Sequence, residues 1–391
     1  MRKYIIVIIF FFLIMVLKIK AIDISSECAI LMDSDSGRII YEQNIHKPKL
    51  IASLTKIMTA IMALESEKLD NIVTVDETVL KSYGTNLYLE VGEKISLRDL
   101  VYGLMLRSGN DAAMMIANYL SGSEEDFVVL MNQKANELGM HHTSFRNPHG
   151  LDEETENYST AYDMALLTKY AMTQDEYQKI VKTKKHTVRT NYKTYVWTNK
   201  NKLLFSYQYL TGGKNGYTEK ALKTLVTTAT KGNFNLIAVT LNDPNQWKTH
   251  QDLHELGFRE YRNYKILNKK RFKVVEDTFY QDKLYIKHDF FYPLTKEEKE
   301  LVYTKIEIEK LNNYQHSDKV GNVYVYLGDK KIHSQVIYVK KAKRNHLLIK
   351  LLKSLGILLL DTKKVIILLG DNVGTIAQIN CSAWLLFKTK G

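Results

Sequence analysis

Apolar and polar positions change rhythm several times along the chain. An unbroken apolar run covers Tyr4 to Leu17. Two short apolar stretches follow, Cys28-Ala29-Ile30-Leu31-Met32 and Arg38-Ile39-Ile40-Tyr41, separated by Asp33-Ser34-Asp35-Ser36-Gly37. The separator is rich in side chains that bond their own backbone, so this is a predicted β-hairpin. Residues 50–66 form a strongly apolar predicted helix. Helical periodicity returns near 97–107, 111–120, 124–138 and 160–173, and a last helix ends within Leu253 to Tyr264. Strand-like segments lie at 183–197, 222–230 and 234–242. Strands at both ends with helices between predict one mixed sheet whose first and last strands come together.

Beyond residue 268 the pattern alternates Tyr, Val, Ile and Lys up to about 342. Asn322 to Leu327 reads as a strand entering a turn at Gly328-Asp329, with Val336-Ile337-Tyr338-Val339 as its partner. This predicts a small β domain. From 343 the rhythm becomes helical, with Leu348, Leu351, Leu352, Leu355 and Leu359 on one face and Lys350 and Lys353 opposite. The pattern at 346–360 suits a helix lying on a membrane, or equally one packing on a core or partner. Residues 361–391 carry no interpretable pattern.

The chain has 391 residues, enough for two domains and a tail. The start, Met1-Arg2-Lys3 before the apolar run and Ala21 after it, reads as a secretory signal over 1–21, the alternative being an uncleaved anchor. Either reading exports the rest. The net charge of +12 is spread along the chain without a nucleic-acid motif, so an anionic envelope surface is the expected partner rather than DNA or RNA. The two cysteines, Cys28 and Cys381, sit at opposite ends and outside any CxxC pair. Neither a disulfide framework nor a cysteine-ligated zinc site is expected. His141-His142 lacks the companion residues of a zinc motif and is placed in a loop. No metal or organic cofactor is expected.

Three short motifs carry the chemistry. Ser53-Leu54-Thr55-Lys56 is an S-x-x-K on the first predicted helix, where residues three apart share a face. A neutral Lys56 amine there can take the Ser53 proton and make the hydroxyl a nucleophile. Ser108-Gly109-Asn110 is an S-x-N ahead of a helix. Ser108 can relay protons, and the Asn110 amide can hold Lys56 and a substrate carbonyl; a plain helix cap is the structural alternative. Lys214-Asn215-Gly216, followed by Tyr217-Thr218, comes after Gly212-Gly213 and just before the strand at 222–230. Lys214 offers charge to a carboxylate, Gly216 lets backbone approach closely, and the next N–H can face an oxyanion. An ordinary glycine-rich hairpin would look the same.

The order S-x-x-K, S-x-N, K-x-G, at intervals of about 55 and about 106 residues, is shared by penicillin-binding proteins and class A β-lactamases. With the stretches Leu50 to Ala60, Ser108 to Ala113, Glu137 to Met140, Asn147 to Leu151 and Tyr158 to Asp163, the chain resembles the low-molecular-weight D-alanyl-D-alanine carboxypeptidases. The likeness covers residues 25–265 closely and 268–342 loosely.

The resemblance implies an α+β fold of the β-lactamase/transpeptidase type. It divides the chain into a catalytic domain at 22–264, a β domain at 268–342 and a tail at 343–391. It implies Ser53 as nucleophile, Lys56 as base and Ser108 as proton relay. Asn110, Lys214, Asn215, Gly216, Tyr217 and Thr218 line the substrate, and the Ser53 and Tyr217 N–H groups form the oxyanion hole. His149 falls near the cleft in a supporting role. Partners would be wall stem peptides ending in D-Ala-D-Ala, β-lactams as inhibitors, and an anionic membrane surface at the tail. Asn215 departs from the usual Thr or Ser, whose hydroxyl binds the substrate carboxylate. A β-lactamase would need a deacylating glutamate in E-x-x-L-N, which the sequence lacks. A binding relative without turnover is favoured only by Asn215.

Overall fold

The computed structural model describes residues 24–275, 277–340, 357–361 and 364–367. The expected leader over 1–21 and Cys381 lie outside them. Five strands make the central sheet: β1 (Cys28–Asp33), β2 (Ile39–Gln43), β3 (Leu210–Thr218), β4 (Leu222–Lys231) and β5 (Phe234–Leu241). Their order is β2-β1-β5-β4-β3. The two ends of the unit therefore meet as expected, with Cys28 opposite Leu241 and Asp33 opposite Leu236. Every neighbouring pair is antiparallel, so the sheet is not mixed.

Strand β1 is buried along its whole length, which requires cover on both faces. The period of two sorts its side chains accordingly. Cys28, Ile30 and Met32 face the larger core, built with α1 (Lys56–Glu65), α2 (Leu97–Arg107), α3 (Asn110–Ser121), α4 (Glu124–Glu137) and α5 (Ala161–Ala171). Ala29 and Leu31 face a smaller core with Leu253 and Phe258 of α6 (Gln246–Glu260). Helices thus cover both sides of one sheet.

Helix α6 stops at Glu260, within the expected range, because the chain turns into strand β6 (Arg262–Leu267). That strand pairs with β7 (Phe290–Leu294). Residues 289–301, expected in the second domain, consequently group with the first. Arg38 holds them there: it donates to the Pro293 carbonyl and to Glu298, both at 2.5 Å, between the rings of Tyr261 and Tyr292.

Among the described residues, the second unit comprises those within 268–288 and those from 302 onward. It is the small β domain that the alternation predicts. Strands β8 (Val302–Ile308), β9 (Lys319–Leu327) and β10 (Lys330–Val339) form an antiparallel meander, with Leu284–Tyr285 added beside β10. Tyr280, Val323, Val325, Ile337 and Val339 are fully buried within it.

Most of the expected helix at 346–360 lies outside the described residues. Its last residues are not helical: Ile357–Asp361 is a strand paired antiparallel with Lys364–Ile367. Two short apolar runs split by polar residues suit a hairpin as well as a helix face, and periodicity alone does not separate them. Among the described residues no helix is long and apolar enough to cross a membrane.

Candidate active site

The nucleophile motif does not start on an α-helix. Ala52–Thr55 is a turn of 3₁₀-helix and the α-helix begins at Lys56. In a 3₁₀ turn, residues three apart eclipse one another. That tighter winding brings Lys56 Nζ to 3.1 Å from Ser53 Oγ. Ala52, just before the serine, has φ 48°, a left-handed conformation uncommon for a residue with a Cβ. Ser108, ending α2, has φ 68°. Such backbone costs on the order of 1–3 kcal/mol per residue and persists where packing dictates it.

Lys56 is fully buried and its amine has three partners: Ser53 Oγ, Asn110 Oδ1 at 2.7 Å and the His149 carbonyl at 2.5 Å. Two of these can only accept. A neutral amine has two N–H groups and one lone pair. The N–H groups satisfy Asn110 and His149, and the lone pair is left for the Ser53 hydroxyl proton. Burial pushes the Lys56 amine well below its ordinary range, and the nearby charges of Lys214 and Lys200 push the same way against Asp111.

Lys214 is likewise buried, donating to Ser108 Oγ at 3.0 Å and to the Asn215 carbonyl at 2.6 Å. Burial first, and then Lys200, lower it to about 7. The segment Lys214 to Gly216 is not a turn but lies inside the edge strand β3. Glycine is what permits its position: a Cβ on Gly216 would stand 2.9 Å from Ser53 N and 2.5 Å from Thr224 Oγ1.

The structure thus gathers Ser53, Lys56, Ser108, Asn110, Lys214 and Gly216. Asn215 is half-buried beside them in β3. Tyr217 turns its side chain to solvent. The Thr218 hydroxyl donates to Asp152 at 2.5 Å.

Several residues that hold the site are not visible in the motifs. Asn157 donates to Thr55 Oγ1 and the Asn147 carbonyl, and accepts from the Arg146 and Asn147 N–H groups. Asn147 Oδ1 accepts from Gly150 N at 2.6 Å, and Thr59 donates to the Pro148 carbonyl. Segment 147–150 is pinned against the nucleophile turn, so that His149 presents its carbonyl to Lys56. The approach needs Gly150, at φ 85°: a Cβ there would stand 1.9 Å from the Ala52 oxygen. The Asn-Pro-His-Gly run is a readable turn signal, but its partner at Asn157 is not.

The His149 ring is neutral, pushed down to about 3 chiefly by burial, with Lys56 adding to the shift whenever its amine is protonated. Its Nδ1 accepts from Leu151 N at 3.1 Å. Beside Asn110 and His149 opens a cleft of about 680 Å³, lined also by Tyr83, Leu151, Glu124 and Glu154. Among the described residues no group of three or more His, Cys, Asp or Glu is arranged to hold a metal.

Residues 15–245 match the profile of the family described as D-alanyl-D-alanine carboxypeptidase, peptidase family S11. Residues 261–344 match the penicillin-binding protein 5 C-terminal domain. The chain is 38% identical to the D-alanyl-D-alanine carboxypeptidase DacF of Bacillus subtilis, over 55% of this chain and 56% of the relative. It is 33% identical to DacC of Escherichia coli, over 68% of this chain and 69% of the relative. Among solved structures, penicillin-binding protein 5 of Haemophilus influenzae superposes with a TM-score of 0.70 at 28% identity, covering 83% of this chain and 98% of that one. A point mutant of the Streptomyces K15 DD-transpeptidase gives 0.58 at 30% identity, covering 61% and 99%.

Proposed function

The chain belongs to the D-alanyl-D-alanine carboxypeptidase family of serine peptidases, and on that premise we propose that it removes the terminal D-alanine from wall stem peptides through a Ser53 acyl-enzyme. The observation that carries the reading is the Lys56 amine, buried, lowered in pKa and hydrogen-bonded so that its one lone pair meets the Ser53 hydroxyl.

Ser53 Oγ attacks the carbonyl between the two D-alanines as its proton passes to Lys56. The developing oxyanion lies between the Ser53 and Tyr217 N–H groups, each donor contributing about 3 kcal/mol. The closeness of Gly216 to Ser53 N supports that pairing, since the strand carries the Tyr217 N–H past the same point. Collapse breaks the C–N bond, and the leaving amine takes a proton through Ser108. Because Ser108 Oγ accepts from Lys214, its own hydrogen is directed elsewhere. Water then cleaves the ester and frees Ser53. Lys214 in its charged form and Asn215 face the substrate carboxylate; Asn110 holds the acyl-side carbonyl, which directs the rest of the peptide toward the adjoining cleft.

β-Lactams enter the same reaction and stall as acyl-enzymes. We further propose export by the leader at 1–21, action at the outer face of the cytoplasmic membrane or in the wall, and contact of the basic, leucine-rich stretch after 343 with anionic lipid. Equal sedimentation of full-length and tail-truncated protein with anionic liposomes would remove the lipid contact.

The test is intact mass against time for residues 22–345 mixed with penicillin, beside Ser53→Ala. A long-lived adduct absent from the variant supports the acyl-enzyme and names its nucleophile. Rapid penicillin loss without adduct favours a β-lactamase. An adduct without D-alanine release from peptide favours the non-hydrolytic relative to which Asn215 points. Absence of both adduct and turnover would sink the mechanism.

A further inference from the structure

Asp111 is 2% exposed and follows the S-x-N triplet directly, yet the proposed reaction gives it no task. Its carboxylate is saturated with backbone donors. Oδ1 accepts from Leu87 N at 2.9 Å and Ala112 N at 2.8 Å. Oδ2 accepts from Leu87 N at 2.9 Å, Tyr88 N at 2.8 Å and Leu89 N at 3.2 Å. Three consecutive N–H groups from a segment more than twenty residues upstream thus converge on one side chain, which needs Tyr88 at φ 65°. A run of N–H groups turned to one point is a nest for an anion, and here the anion belongs to the protein.

The segment gathered in this way touches the catalytic residues. The Tyr83 carbonyl accepts from Asn110 Nδ2 at 2.7 Å, and the Thr85 carbonyl accepts from Asn110 N at 2.7 Å. Asn86 Oδ1 accepts from Asp111 N at 3.3 Å. The Leu87 side chain closes over Gly109, where a Cβ would stand 2.6 Å from its Cγ. An amide has one donor end and one acceptor end. With Nδ2 committed to Tyr83, Oδ1 of Asn110 must face Lys56, and that contact takes one of the amine's two N–H groups. Were segment 83–89 to drift, the amide could rotate, and the Lys56 lone pair would lose its fixed direction toward Ser53.

We infer that Asp111 is a positioning residue for acylation: by gathering the N–H groups of 87–89 it fixes segment 83–89, and through the Tyr83 carbonyl it sets the Asn110 amide against Lys56. The inference rests on the Ser53 acyl-enzyme reading. A purely architectural Asp111 would affect stability and nothing else.

The experiment uses the full-length protein in detergent and compares wild type with Asp111→Asn and Asp33→Asn. Asp33 is a buried carboxylate that accepts from Ser36 N and Ser36 Oγ in the β1–β2 turn, away from Ser53. Asp111→Asn keeps the shape but aims an amide donor at backbone N–H groups. Penicillin acylation and D-Ala-D-Ala peptide turnover are measured, each protein held the same interval below its own Tm. Expected are a fall of ten- to a hundredfold in acylation rate and in kcat for Asp111→Asn, a KM change within threefold, and acylation within twofold of wild type for Asp33→Asn. Amide hydrogen exchange at 87–89 rises in Asp111→Asn and not in Asp33→Asn. Leu87→Ala loosens the same segment with the carboxylate intact; it is expected to lower kcat too and serves if Asp111→Asn does not fold. Wild-type acylation rates in either segment variant would overturn the inference while leaving the acyl-enzyme standing. A wild-type protein that forms no Ser53 adduct would overturn both.

Discussion

Lowering the pH from 7.5 to 5 is expected to destabilise this protein through a pair of histidines behind the sheet. His250 and His254 lie one turn apart on α6 and are both fully buried. They share the Thr227 hydroxyl, at 2.6 Å from His250 Nδ1 and 2.7 Å from His254 Nε2, and His250 Nε2 meets Thr240 at 3.0 Å. Burial lowers His254 from 6.5 to about 3, and burial together with His254 lowers His250 well below its usual value. With the folded value depressed, the unfolded chain binds the extra proton between about pH 3 and pH 6.5. Stability is therefore complete above that window and lost as the pH falls through 6.5. For His254 the loss from pH 7.5 to pH 5 is RT ln[(1 + 10^1.5)/(1 + 10^−1)], about 2 kcal/mol. The figure barely changes if the folded value lies a unit higher, because at pH 5 the folded imidazole is neutral either way.

Other groups oppose this trend. Burial raises Asp33, Asp111 and Glu124, so their protonation favours the folded state on acidification. The informative quantity is a difference between proteins. His254→Gln keeps a polar amide near Thr227 but does not titrate. Urea unfolding, followed by the fluorescence of Trp197 and Trp247 at both pH values, is expected to show a pH-dependent loss smaller by about 2 kcal/mol in the variant. Identical pH dependence in the two proteins would refute the buried-imidazole reasoning.

Other expectations concern the site. Since Lys214 loses its charge as pH rises through about 7, kcat/KM on D-Ala-D-Ala peptides is expected to fall roughly fivefold from pH 7 to pH 8. A flat profile to pH 9 would remove Lys214 from carboxylate binding. Gly150→Ala puts a methyl against the Ala52 oxygen from a left-handed backbone, and about a hundredfold loss of acylation is expected, read as the rate of penicillin adduct formation. A rate within threefold of wild type contradicts it. Asn215→Thr is expected to lower KM several-fold with the penicillin adduct retained; an unchanged KM places position 215 off the carboxylate.

Much of the architecture is legible because β-branched runs and helical stripes are local signals. Cys28 to Met32, the stripe of 97–107 and the strand at 234–242 all fall where periodicity puts them. Errors arise where distant chain overrules local preference. Gly212 and Gly213 read as a turn, yet β4 pairs with both and with Gly216, and makes a strand of the segment. Ser53 and Lys56 read as neighbours on an α-helix, but the turn under them is wound by Asn157, about a hundred residues away. Segment 289–301 belongs to the first unit because of Arg38, 260 residues earlier for the Glu298 contact. The motif residues declare themselves by type and order. The residues that aim them, Asp111, Asn147 and Asn157, are common polar residues whose partners only the fold reveals.

The sheet order also sets a folding schedule. β1 emerges early in synthesis but finds its inner neighbour only when residues 236–241 are made, and the Arg38 clasp waits for Glu298. Contacts so far apart in sequence are slow to close. A nascent chain thus remains unlocked until nearly all of the first unit exists, a property that keeps it threadable through a narrow passage. The same delay leaves the apolar β1–β2 hairpin with a bare edge for most of that time, open to pairing with another copy. A truncation just before β5 would make that hazard permanent, so such fragments are expected to aggregate even though every motif residue is present.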